Sequence, residues 1–126
     1  MGVFFDNLKL RFLLRVTAWL LSRATRTSIR LAQMLGEENF VFQIQTKDGV
    51  GGHFILSDGR LTYHTGRHAR PDFAQIWRSP REALEAMTSS DESAMLRAFD
   101  AGACRMEGRF LVALWFNEAM KLARPK

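Results

Sequence analysis

At 126 residues, with 47% hydrophobic and 25% charged side chains, the chain suits one domain that buries about two-thirds of its unfolded surface without covalent staples. Its single cysteine excludes an internal disulfide and agrees with a reducing, cytoplasmic setting. The net charge of +5 belongs wholly to residues 1–35, where Lys9, Arg11, Arg15, Arg23, Arg26 and Arg30 face Asp6 alone; the neutral remainder lacks the spread of bases and stacking aromatics that a nucleic-acid surface needs.

No stretch free of Asp, Glu, Lys and Arg exceeds the nine residues from Gly49 to Ser57, well short of the roughly twenty that a spanning helix requires. The opening MGVFFDNLKLRFLLRVTAWLLSR places Asp6 before its first base and Arg15 inside its apolar stretch, which argues against a cleaved signal. Asp6 also stands where a myristoylation signal wants Ser or Thr. Leu8–Leu35 reads as helix, in one piece or as two joined weakly around Thr25–Ser28, where β-branched and hydroxyl residues lower helix propensity. Leu10, Leu13, Leu14, Val16, Leu20, Leu21, Leu31 and Leu35 supply an apolar side. Arg11, Arg15, Arg26 and Arg30 fall opposite, with Phe12 and Trp19 among them. Such a face is either a solvated basic surface or one that lies on an anionic membrane, arginines toward phosphate, which would make the protein peripheral to that membrane.

After Gly36 the period shortens to two. Asn39–Lys47 is expected as a strand, followed by a turn through Asp48, Gly49, Gly51 and Gly52. His53–Ser57 and Arg60–Thr65 then pair across Asp58-Gly59, the residue pair that a tight hairpin with positive φ prefers, so three strands form a meander. A base-rich loop, Gly66–Pro71, leads to a fourth strand, Asp72–Trp77. Ser79-Pro80-Arg81-Glu82 is a helix start with Ser79 as cap, Pro80 in the first turn and Glu82 completing a capping box, and this helix should end by Thr88. A further helix over Asp91–Ala101, with Met95, Leu96 and Phe99 inward, closes at Gly102.

The last unit, ACRMEGRFLVALWFNEAMKLA from Ala103 to Ala123, reads as a strand, a turn at Gly108 and a helix that stops near Pro125. Cys104 and Met106 share the inward face of the strand. In the helix only Asn117, Glu118 and Lys121 are polar, and they cluster in a stripe about 100° wide. The apolar remainder is wider than one sheet face can cover. It calls for another helix, a membrane or a bound apolar ligand.

Catalytic chemistry finds little footing. His53 falls in a strand, His64 and His68 flank a turn without further metal ligands at suitable spacing, and Cys104 sits in an apolar strand where a thiol packs inertly. Gly49, Gly51 and Gly52 join two strands with no helix after them, so no phosphate loop is expected. No catalytic residue, metal ligand or cofactor is assigned.

The order of elements, with FVFQIQTKDG from Phe40, Asp72–Trp77 running into SPREALEAM, and GACRMEGRFLVALWFNEAMKL from Gly102, resembles the sterol carrier protein type-2 family of lipid-binding domains. Gly108 matches the glycine that ends the family's last strand. Ala103 and Arg109 stand where the family often has a base and an acid. The resemblance covers residues 26–126 as the domain and leaves residues 1–25 as an N-terminal amphipathic helical extension. It implies an α+β fold: a five-stranded, mainly antiparallel sheet with helices packed on one face, enclosing a hydrophobic tunnel. By position it assigns Met95, Phe99, Met106, Phe110, Leu111, Leu114 and Trp115 to the tunnel lining.

Two functions fit. One is non-enzymatic binding or transfer of a lipid or other long-chain apolar molecule (fatty acyl chain, phospholipid or isoprenoid), with an anionic membrane surface contacted through Arg11, Arg15, Trp19, Arg26 and Arg30. The other is a non-catalytic interaction subunit that docks a partner protein on the apolar C-terminal helix. The oligomeric state stays open.

Overall fold

In the computed structural model, which describes residues 2–47, 51–91 and 93–123, two helices precede the sheet: α1 (Gly2–Thr27) and α2 (Ile29–Met34). The weak joint is a true break. Ser28 is extended, and its hydroxyl accepts the Leu31 amide at 3.2 Å to cap α2. Strands β1 (Phe40–Thr46), β2 (Gly51–Ser57) and β3 (Arg60–Thr65) form the antiparallel meander. Asp58 and Gly59 turn it at φ of 53° and 76°, both left-handed as this hairpin requires. The turn expected from Asp48 and Gly49 and the stop expected at Pro125 lie outside the described residues.

β4 (Phe73–Trp77) returns to the free side of β1 and runs parallel to it, and β5 (Cys104–Gly108) pairs antiparallel with β4. The sheet order is therefore β3-β2-β1-β4-β5, mixed but mainly antiparallel. Three more helices complete the α+β fold: α3 (Pro80–Thr88), α4 (Ala94–Asp100) and α5 (Phe110–Ala123). Ser79 caps α3 as its sequence demands, accepting the Glu82 amide at 3.2 Å.

Strand alternation puts Phe42, Ile44, Phe54, Phe73 and Trp77 on the inner face, where α1 and α5 cover them. From α1, Leu10, Leu14 and Leu21 enter the same continuous core and are fully buried. From α5, Phe116 sets its ring 4.5 Å from Phe42 and 4.8 Å from Phe54, centroid to centroid.

The outer face holds a polar layer. To reach β4, residues 66–72 cross over β2 and β1, and this segment buries Gln43, Gln45 and His53 beneath it. His53 Nδ1 lies 2.9 Å from the Gly66 carbonyl oxygen, the His68 amide donates to Gln43 Oε1 at 2.6 Å, and the Gln43 amide group donates to Gln45 Oε1. Gln43, Gln45 and His53 are thus satisfied by the crossing backbone and by one another.

Helix α4 departs from expectation. It starts at Ala94 rather than Asp91, because the Asp91 carboxylate accepts the Ser93 amide and hydroxyl at 2.9 and 2.8 Å and holds that segment as a turn. Only seven residues long, α4 buries none of them. Leu96 and Phe99, expected inward, are 62% and 45% exposed.

Two predictions follow from β5. Gly108 has φ of 108°, and a Cβ there would press into the Asp72 carbonyl. Gly108→Ala should therefore lower the unfolding free energy by at least about 2 kcal/mol, read as a reduced urea midpoint at unchanged slope. Burial pushes the Cys104 thiol up to about 11. In the folded protein at pH 8 it should resist iodoacetamide, and mild urea that opens the core should release the reaction; rapid labelling without denaturant would contradict the buried placement.

Candidate functional site

Between α1, α5 and the inner sheet face lies a cavity of about 310 Å³. Its floor is Phe42 and Ile44 of β1 with Gln75 of β4, three side chains that alternation places on one face. Leu13 and Thr17 come from α1, Ala86 and Met87 from α3, and Met95 from α4. Helix α5 contributes Ala113, Phe116, Asn117 and Met120, a stripe at helical spacing, with Lys121 beside it. The lining is mainly apolar; its uncharged polar members are Thr17, whose hydroxyl donates to the Leu13 carbonyl at 2.9 Å, Ser89, and the amides of Gln75 and Asn117.

Charge is confined to the rim. Asp91 is held down to about 2 by hydrogen bonds from the Ser93 amide and hydroxyl and then by Arg97, so it is anionic throughout the ordinary pH range. Lys121 is the cation among the lining residues. The cavity thus presents a floor of Phe42 and Ile44 with the Gln75 amide beside them, a second amide from Asn117 on α5, and an acid and a base at its edge. Such a site can hold a chain with a polar end.

Of the residues assigned to the lining from sequence, Met95 lies at this cavity. Phe110, Leu111 and Leu114 do not line it and are more than half exposed, Phe110 with its ring edge-on to Phe73 at 6.0 Å. Trp115 is buried elsewhere, its indole N–H donating to the Met34 carbonyl at 3.1 Å and its ring edge-on to Phe40 at 5.0 Å. Met106 is half-buried on β5, opposite Gln75, and Phe99 lies on the exposed α4. The cause is the roll of α5. Its buried stripe is Val112, Trp115, Phe116, Ala119 and Ala123, fixed by the Trp115 bond to α2 and by Phe116 on the sheet, and this turns Ala113, Asn117 and Met120 to the cavity. Asn117, a polar residue beside that stripe, was the available signal.

The basic face divides. Arg11, Arg15, Trp19 and Arg26 lie exposed on α1, whereas Arg30 falls beyond the break on α2 and pairs with Glu37 at 3.4 Å. A smaller hollow of about 210 Å³ lies between α1 and β3, where the buried Tyr63 hydroxyl has no partner among the described residues. Burial raises its pKa, with Arg15 and Arg11 pulling the other way. On the outer face the rings of His64 and His68 stand 5.2 and 5.3 Å from that of His53. Among the described residues no group of three or more His, Cys, Asp or Glu is arranged to hold a metal ion.

No family model and no curated protein matches the chain. Solved structures do. Sterol carrier protein 2 from Yarrowia lipolytica, in its apo form, superposes with a TM-score of 0.64 at 16% identity over 100% of both chains. A UbiJ-SCP2 ubiquinone synthesis protein gives 0.63 at 16% identity, covering 90% of this chain and 99% of its own. The stereoselective inverting sec-alkylsulfatase Pisa1 from Pseudomonas sp. gives 0.51 at 15% identity over 75% of this chain, but only 14% of the sulfatase takes part. At such identities the likeness is one of architecture, and the architecture is the sterol carrier protein 2 fold.

Proposed function

We propose that the chain binds a long-chain apolar molecule in the cavity between α1, α5 and the sheet, and carries it without transforming it. The observation that supports this reading is the apolar cavity of about 310 Å³, walled by four helices and two strands and charged only at its rim. Burial contributes about 0.8 kcal/mol per methylene, so a fatty acyl chain or an isoprenoid of ten or more carbons is held firmly by walls alone. Gln75 at depth offers a donor and an acceptor to one polar group on the ligand, and Lys121 offers charge to an acidic end. Fold neighbours named as sterol carrier and ubiquinone synthesis proteins agree with a ligand of this class. A protein that carries such a molecule exchanges it with a membrane.

A second reading has its own observation. Phe110, Leu111 and Leu114 form an exposed apolar strip on α5 that faces away from the cavity, and a partner protein docked there would make the chain an interaction subunit.

The readings separate in titrations of the delipidated full chain with a fluorescent fatty acid. The carrier reading expects saturable binding near one per chain. Ala113→Trp, which fills the cavity from α5, should weaken it at least tenfold, with overpacking costing about 1–3 kcal/mol of stability checked by thermal melting. Leu111→Ser, on the outward side, should leave it unchanged. Absence of saturable binding, or indifference to Ala113→Trp, would remove the carrier reading; an oligomer dispersed by Leu111→Ser would favour the other.

A further inference from the structure

The outer face of the sheet gathers all three histidines of the chain. His53 of β2 is buried and pairs across the ladder with His64 of β3, the two rings nearly parallel at 18° with centroids 5.2 Å apart. His68, on the strap of residues 66–72, sets its ring at 69° to that of His53 and 5.3 Å away. Hydrogen bonds fix the protons on two of the three rings. His53 Nδ1 meets the Gly66 carbonyl, which only accepts, so this nitrogen carries the hydrogen. His68 Nδ1 accepts the Arg70 amide at 2.9 Å, so it is bare and the neutral ring carries its hydrogen on Nε2. His64 Nε2 lies 3.0 Å from the Thr62 hydroxyl. Around the cluster little can balance a positive charge. From β1 come Gln43 and Gln45, which are uncharged. The strap adds Arg67 and Arg70, and its carboxylate, Asp72, is turned to the Val41 amide at 2.6 Å. Among the described residues no carboxylate pairs with these histidines or with these two arginines.

We propose that the strap is an acid-released latch: uptake of protons by His53 and His68 lifts residues 66–72 from the outer face and uncovers Gln43 and Gln45. A free imidazole charges near pH ~6.5. On His68 the incoming proton takes Nδ1, the position that holds the Arg70 amide; two donors then face each other and that bond is lost. On His53 it takes Nε2, which keeps the Gly66 bond but sets a cation against the rings of His64 and His68. Imidazolium ions at these separations, beside Arg67 and Arg70, repel one another, and moving the strap into water relieves them. The latch reaches the cavity through β1, where Gln43 and Gln45 alternate with Phe42 and Ile44 of the cavity floor. Its opening does not depend on what the cavity holds.

Hydrogen exchange of single amides in the full chain, followed by NMR between about pH 7.5 and 5 and divided by the intrinsic rate at each pH, reads the latch directly. The His68 amide, bonded to Gln43 in the closed strap, should lose protection at least about tenfold over that range, since an opening linked to one proton changes by roughly a factor of ten per pH unit below the imidazole titration. Amides of the β1–β2 ladder should keep theirs. His68→Gln places a carbonyl oxygen that can accept the Arg70 amide without titrating, so it should remove most of the pH dependence. His64→Gln, at an exposed position, should narrow it by taking away one of the three charges. Protection of the wild-type His68 amide that stays constant with pH overturns the proposal. So does a fall shared equally by the β1–β2 ladder, which would mean unfolding of the whole domain, or a His68→Gln strap that opens with the wild-type profile.

Discussion

The Phe116 ring, edge-on to Phe42 and tilted against Phe54, is the contact on which the rest of the structure depends. It fixes the roll of α5 on the sheet, and the Trp115 indole bond to the Met34 carbonyl fixes the same roll from the other side. Two neighbouring aromatics therefore hold the helix against two different elements, leaving it no freedom to rotate. Aromatic pairs of this geometry add about 0.5–1.5 kcal/mol each beyond their buried area. Here their larger effect is positional. They decide which side chains of α5 reach the cavity, and Phe116 itself belongs to both the packed core and the cavity wall.

Much of the architecture was legible in the sequence, for reasons that are local. The Ser79–Glu82 cap, the Asp58-Gly59 turn and the two-residue period of Phe40–Ile44 each state their structure within a few residues, and all three form as read. The break at Ser28 was written in a drop of helix propensity. The cavity was less legible, because on a helix as apolar as α5 the hydrophobic pattern does not say which third faces a ligand. The resemblance carried over Phe110, Leu111 and Leu114 by position, while the contacts that set the roll came from α2 and the sheet, distant in sequence. Leu96 and Phe99 were misplaced for a different reason. The Asp91 turn delays α4, and a helix of two turns does not bury a full stripe.

The two faces of the sheet are satisfied by opposite means. Inside, packing of aromatic and aliphatic side chains leaves a space that is filled by neither. Outside, Gln43, Gln45 and His53 are covered by a return segment that spends its own backbone groups on them, through Gly66 and His68. A parallel β1–β4 pair demands a crossover, and a crossing strap of backbone needs polar side chains below it. The glutamines of β1 are therefore a requirement of topology. Nothing near them in the sequence marks their burial, since the segment that buries them arrives more than twenty residues later.

Helix α4 forms part of the cavity wall through Met95 yet buries none of its residues. A segment with so little stake in the common core has a local opening free energy far below that of the global fold, because its displacement leaves the Phe42–Phe54–Phe116 cluster intact. The wall of the cavity is in consequence divided into a part rooted in the continuous core, built from the sheet, α1 and α5, and a part, α4, that meets that core only through the half-buried Met95 and Ala98.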